Sequence, residues 1–129
     1  MPGTTSSPFL EIPSDRWLAS NELAFAIYDK FPVTPGHALV ITRRVVADWE
    51  AATPDERRAV MSLVDDVMGI LRREHSPDGI NVGFNVGSAA GQTVPHLHVH
   101  VIPRYWGDVD DPVGGVRHVI PSKANYLKG

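Results

Sequence analysis

Three observations predict an α+β domain for this 129-residue chain. One long amphipathic segment carries a helix-start signature at Thr53. Four short segments with strand character lie in series around it. Clusters of Gly, Pro and Asp separate these segments, and that order suits an antiparallel sheet packed on a single helix.

The elements follow in chain order. Residues 1–8 are small, polar and Pro-containing, and read as a flexible arm before a single domain over residues 9–129. They lack the basic start and apolar middle of a signal peptide. No apolar run approaches the ~20 residues that span a bilayer, so the cytoplasm is the expected compartment. Residues 23–28 form a short apolar strand, and residues 29–36, with two prolines and a glycine, a loop. Residues 37–42 (HALVIT) are a second strand rich in β-formers. Thr53-Pro54-Asp55-Glu56 then matches a capping box with Pro at the first helical position. Val60, Leu63, Val64, Val67 and Leu71 follow at helical spacing as one core-facing stripe. Ser76-Pro77-Asp78-Gly79 ends the helix. In residues 80–87 Ile80, Val82, Phe84 and Val86 alternate with Asn81, Gly83, Asn85 and Gly87, the pattern of a half-buried strand. Residues 88–92 form a small-residue loop, and residues 95–102 a last strand closed by Pro103.

Composition narrows the function classes. Twelve Lys+Arg against fifteen Asp+Glu give a net charge of −3, so no basic excess points to nucleic acid or a membrane surface. The absence of cysteine excludes a disulfide framework, a Cys-ligated zinc and a thiol nucleophile. Six histidines remain, at 37, 75, 96, 98, 100 and 118, and three of them fall within five residues.

His96, His98 and His100 alternate with Leu97, Val99 and Val101. On a strand the three imidazoles share one face, roughly 7 Å apart, with the apolar partners in the core behind. Two chemistries compete for such a ladder: a metal site, or nucleophilic attack on phosphorus by one imidazole oriented by its neighbours. The preceding segment, Gly87 to Thr93, is small and uncharged. It offers backbone N–H groups and hydroxyls to an anion, which favours a phosphate site. Crowding three imidazoles disfavours protonating all of them, so at least one is neutral at pH 7, as a nucleophile must be.

His96-Leu97-His98-Val99-His100-Val101-Ile102 resembles the signature of the histidine triad (HIT) superfamily. Gly91-Gln92-Thr93-Val94 directly before it, Asn85, and Pro35-Gly36-His37 also fall at that family's functional positions. The resemblance extends from about residue 23 to 121. It implies a five-stranded antiparallel sheet with one long helix and a short one, and a homodimer with a ten-stranded sheet. It implies a purine nucleotide substrate cleaved at the α-phosphate. By this resemblance His98 is the nucleophile, His100 holds phosphate oxygens, and His96, with His37 behind it, orients the site and assists the leaving group. Asn85, Gly91, Gln92 and Thr93 bind phosphate, Asp29 the ribose hydroxyls, and Ile27 and Leu23 line the base pocket. No metal or cofactor is bound by the triad; Mg2+ enters only as a complex with a polyphosphate substrate. His75 and His118 are structural.

Pro103-Arg104, Gly107-Asp108 and Gly114-Gly115-Val116-Arg117 resemble the fragile-histidine-triad-like dinucleoside polyphosphate hydrolases and their bacterial relatives. Arg104 and Arg117 are then candidates for extra phosphates, or plain solvated surface. Asn85 instead resembles the phosphoramidase branch, where the dinucleotide hydrolases often carry Gln. His100 in place of Gln speaks against the nucleotidyltransferase branch. The expectation is hydrolysis of a diadenosine tri- or tetraphosphate, with an adenosine phosphoramidase, a non-catalytic nucleotide-binding protein and a metal-dependent hydrolase as alternatives.

Overall fold

The structure, a computed structural model, describes residues 6–128. Five antiparallel strands, β1 (Ala19–Ser20), β2 (Ala24–Tyr28), β3 (Ala38–Thr42), β4 (Gly79–Gly83) and β5 (His98–Arg104), form one sheet in the order β1-β2-β3-β5-β4. One helix, α1 (Pro54–His75), crosses one face of it.

The alternation of side chains divides the sheet into two faces. Ala24, Ala26, Ala38, Val40, Val99 and Val101 face the helix and meet its stripe of Val60, Leu63, Val64, Val67 and Leu71. Burying a side chain such as Leu63 contributes ~1.5–3 kcal/mol. The other face carries Phe25, Ile27, Leu39 and Ile41, covered by Phe9, Ile12 and Trp17 of the N-terminal segment. His98 and His100 stand on this second face, paired in register with Ile41 and Leu39 of β3.

Both bonds of the capping box are present: Glu56 N–H donates to Thr53 Oγ1 at 3.1 Å, and Thr53 N–H to Glu56 Oε1 at 2.9 Å. Glu56 also accepts a two-pronged bond from Arg44 at 2.8 and 3.0 Å, which ties the helix start to the end of β3. At the other end His75 bonds the Tyr28 hydroxyl at 3.0 Å. Its ring lies against Gly36, where φ is 90° and a Cβ would come within 2.8 Å of the imidazole. His75 thereby packs the end of the helix against the loop before His37.

Several expectations shift. β1 supplies the fifth strand that the resemblance implies, but its place is not legible in the sequence, because two residues are too short to display a period. The third predicted strand leaves the ladder after Gly83, and Phe84 stacks on Trp49 at 4.8 Å. The last strand pairs only from His98, because Leu97 N–H is drawn to Val46 O at 2.8 Å. Among the described residues α1 is the only α-helix; the expected short helix is replaced by 3-10 turns such as Pro8–Glu11 and Ser14–Arg16. Residues 1–5 of the expected arm lie outside the described residues. Ser7, in contrast, is buried and caps the turn at Pro8–Glu11. No described helix is long and apolar enough to cross a membrane.

Candidate active site

A cleft of about 420 Å³ opens on the second sheet face. Phe9, Ile12, Ile27 and Leu39 form its apolar wall; Asp29, Asn85, Thr93, His98 and His100 bring polar groups to it. That mixture, an apolar slot with a few convergent polar groups, is the usual form of a small-molecule site.

The tautomers follow from the partners, since a carbonyl only accepts and an amide only donates. His98 Nδ1 lies 2.7 Å from the His96 carbonyl, so this nitrogen carries the proton. The Nε2 lone pair of neutral His98 is thereby left free. His37 Nδ1 accepts the Val33 N–H at 3.1 Å, so its proton sits on Nε2. That Nε2–H reaches His100 Nδ1 at 2.9 Å. His100 must therefore hold its own proton on Nε2. The two rings, 5.2 Å apart between centroids, carry opposite tautomers: one ends in a lone pair, the other in a donor.

Burial keeps the surrounding imidazoles neutral. His100 is pushed down to about 4, by desolvation first and then by the neighbouring His98 and His37. Desolvation also lowers His37, opposed by the Asp29 carboxylate, and His96, opposed by its bond to the Thr42 carbonyl.

His96 departs from the expected ladder. Its ring is wholly buried, with Nε2–H on Thr42 O at 2.7 Å and Nδ1 on Ser7 Oγ at 2.6 Å. It precedes the paired part of β5 and does not line the cleft, so it cannot touch a leaving group. His37 backs His100 and not His96, because the loop entering β3 delivers it beside His100. The rings of His98 and His100 lie 5.2 Å apart between centroids, closer than an ideal strand repeat.

The glycine loop also differs. The N–H groups of Ala90, Gly91 and Gln92 turn inward, onto Gly87 O, Ser88 O and Gly87 O. Gln92 is spent as a brace: its Oε1 accepts Gly87 N–H, and its Nε2 donates to Ala47 O and Val94 O. Gly91 reaches the cleft with φ 93°, a conformation that favours glycine. Thr93 and Asn85, both exposed at the cleft, are the neutral side chains left for an anion.

Ile27 lines the cleft as expected, whereas Leu23 does not. Four residues earlier along the strand direction, Leu23 lies ~13 Å away. Asp29 is at the cleft; its Oδ1 accepts Phe31 N–H at 2.9 Å and its Oδ2 lies 3.4 Å from His37 Nε2. Arg104 is taken up by Asp108 and Asn81, and Arg117 by the carbonyls of Lys123 and Ala124. Neither lines the cleft. His118 bonds Val113 O, a structural place. Phe9, Ile12, Leu39 and Ser7 were not identified from sequence; the Phe9/Ile12 spacing was the available signal.

Asp29, His37 and His100 place an oxygen and two nitrogens within 4.8 Å of one another. Their wiring does not fit a metal. A metal on His37 Nε2 requires a proton on Nδ1 that points at an acceptor, yet Nδ1 faces the Val33 N–H, a donor.

Residues 10–107 match the HIT domain family. The AP-4-A phosphorylase of Mycobacterium tuberculosis is 37% identical over 124 residues, which cover 90% of this chain and 63% of that protein. The chain thus spans less than two thirds of that relative's length. The bis(5'-nucleosyl)-tetraphosphatase (asymmetrical) of Schizosaccharomyces pombe is 38% identical over 90 residues, 70% of this chain and 50% of that protein. The crystal structure of a HIT family member from Bacillus subtilis superposes with a TM-score of 0.72 at 31% identity, covering 80% of this chain and 76% of the other.

Proposed function

Because the chain belongs to the HIT domain family, we propose that it is a nucleotide hydrolase that cleaves dinucleoside polyphosphates at the α-phosphate. The observation that carries this reading is the pair of opposite tautomers at the cleft, a lone pair on His98 beside a donor on His100.

The reaction is two displacements. His98 Nε2 attacks the α-phosphorus, a P–N bond forms, and the P–O bond to the remaining polyphosphate breaks. The leaving nucleotide departs with that electron pair as a phosphate anion, so no buried acid is needed. Water then attacks the nucleotidyl-histidine, the P–N bond breaks, and His98 regains its lone pair as the water proton passes to solvent. Splitting the reaction lets an imidazole perform the step that water performs slowly. His100 Nε2–H meets a non-bridging oxygen, where charge grows in the transition state. Thr93 and Asn85 hold further oxygens. The Asp29 carboxylate accepts both ribose hydroxyls, and the purine enters the slot of Phe9, Ile12, Ile27 and Leu39. Mg2+ accompanies the polyphosphate and needs no ligand from the triad. The protein works as a homodimer, with β4, an edge strand of the sheet, pairing with its copy.

Phosphorolysis is a second reading, favoured by the name of the Mycobacterium tuberculosis relative. There inorganic phosphate replaces water in the second displacement. Diadenosine tetraphosphate incubated with and without phosphate separates the two. ATP and AMP regardless of phosphate support hydrolysis, and ATP and ADP only with phosphate support phosphorolysis. If neither appears while an adenosine phosphoramidate is turned over, the substrate class is that of a phosphoramidase. Binding of AMP without any turnover reduces the protein to a nucleotide-binding module.

A further inference from the structure

We propose that Ser7 is a positioning residue of this site: its hydroxyl clamps the buried His96, and the His96 carbonyl in turn fixes the ring of His98. The proposal rests on the reading of His98 as the nucleophile.

The hydrogen bonds around His96 form a closed set. Thr42 O can only accept, so His96 Nε2 carries its proton and Nδ1 is an acceptor. Ser7 Oγ, 2.6 Å from Nδ1, therefore donates its O–H there. The same oxygen accepts the Phe9 N–H at 3.3 Å, so the hydroxyl is used in both directions. No neighbour replaces it on the Thr42 side, because the Thr42 hydroxyl is committed to Arg44 O at 2.7 Å. Ser7 and His96 are 89 residues apart in the chain and both are buried.

Two fixed nitrogens hold the ring plane of His96, and the ring holds its backbone. That backbone supplies the carbonyl on which His98 Nδ1–H rests at 2.7 Å. The 3-10 turn that Ser7 caps also sets Phe9, whose ring lies 5.6 Å from that of His96 and 5.0 Å from that of His98. Removing the hydroxyl leaves His96 Nδ1 a buried acceptor without a donor and frees one of its two anchors. The His96 carbonyl then has room to turn, and the preference of His98 for Nδ1–H weakens. Since only the Nδ1–H form presents a lone pair at Nε2, the loss appears in the chemical step.

The test compares the full chain with Ser7→Ala and Ser7→Thr. Ser7 lies in extended backbone, with φ −155° and ψ 138°, which a β-branched residue adopts readily. For diadenosine tetraphosphate, Ser7→Ala is expected to lower kcat about 10-fold, the scale of a small misplacement of a reacting group, with KM changed less than about twofold. Ser7→Thr should restore most of kcat. Imidazole nitrogen NMR without substrate should show His98 as the Nδ1–H tautomer in the parent and Ser7→Thr proteins and as a mixture in Ser7→Ala. An unchanged His98 tautomer in a folded Ser7→Ala protein overturns the proposal. So does a Ser7→Thr protein that fails alongside Ser7→Ala, since the hydroxyl would then not be the active feature. The NMR measurement needs no turnover, so it decides the role of Ser7 even if the nucleophile reading, tested separately by His98→Ala, fails.

Discussion

His98 is held from the N-terminal segment, through Ser7 and His96, whereas His100 is held from the loop between β2 and β3, through Val33 and His37. Both relays end on an imidazole Nδ1, and both draw their polarity from the backbone. They deliver opposite results. The relay to His98 ends on a carbonyl, which forces a proton onto Nδ1 and exposes a lone pair. The relay to His100 begins on an amide N–H, which forces the proton of His37 outward to Nε2 and that of His100 to its far side. Two histidines on one strand, two residues apart, are thus made to present a lone pair and a donor by the groups behind them.

Four measurements probe this asymmetry, in decreasing size of effect. If the proposed reaction holds, His98→Ala removes its nucleophile, and kcat should fall by at least ~10³-fold with nucleotide affinity retained. Retention of full activity would falsify the two-displacement reaction. His100→Ala removes one donor to the developing charge, for which a loss of ~10²–10³-fold in kcat is expected; a change confined to KM would assign His100 to ground-state binding. His37→Leu leaves the His100 ring in place but takes away what fixes its tautomer. A loss of about 10-fold in kcat is expected, smaller than that of His100→Ala, because a positioning group acts only through the one it holds. Equal losses in the two variants would instead place His37 in direct contact with substrate.

The fourth measurement is the dependence of stability on pH. His100 is pushed down to about 4 in the fold, while an unfolded histidine titrates near ~6.5. Between those values the unfolded chain binds the proton and the folded one does not, so stability falls as pH falls through that window. His37 and His96, both lowered, add in the same direction. Thermal melts from pH 7 to pH 4 should show the decline, and His100→Gln should flatten it; an unaltered slope would mean that His100 is not a neutral buried group. As a remote control, Thr53→Ala removes the N-cap hydroxyl that accepts the Glu56 N–H, and weakens the helix start without touching the cleft. A melting temperature lower by ~3–6 °C with unchanged kcat is the expected outcome.

Local patterns carried the fold. The capping box, the stripe from Val60 to Leu71 and the alternation of His98 and His100 with Val99 and Val101 all rest on spacings of a few residues, and each appears where its spacing places it. β1 was hidden because it is two residues long. The site was legible where a residue lies on a predicted strand face or at its end, as for His98, His100, Ile27 and Asp29. It was misread where chain path decides. Gln92 resembles a ligand but braces its own loop, and Leu23 shares a face with Ile27 but sits too far along the strand.

The sequence by itself determined one helix on an antiparallel sheet and, in a chain without cysteine, a run of alternating histidines that leads into its last strand. The tertiary structure alone decided that His37 serves His100, that His96 is a buried strut, and which nitrogen of His96 and of His100 carries the proton. The reason is the range of the interactions. Side-chain periodicity is set by the nearest few residues, whereas these hydrogen bonds join groups 63 and 89 residues apart. Their donors and acceptors meet only after strand register and the path of the N-terminal segment are fixed.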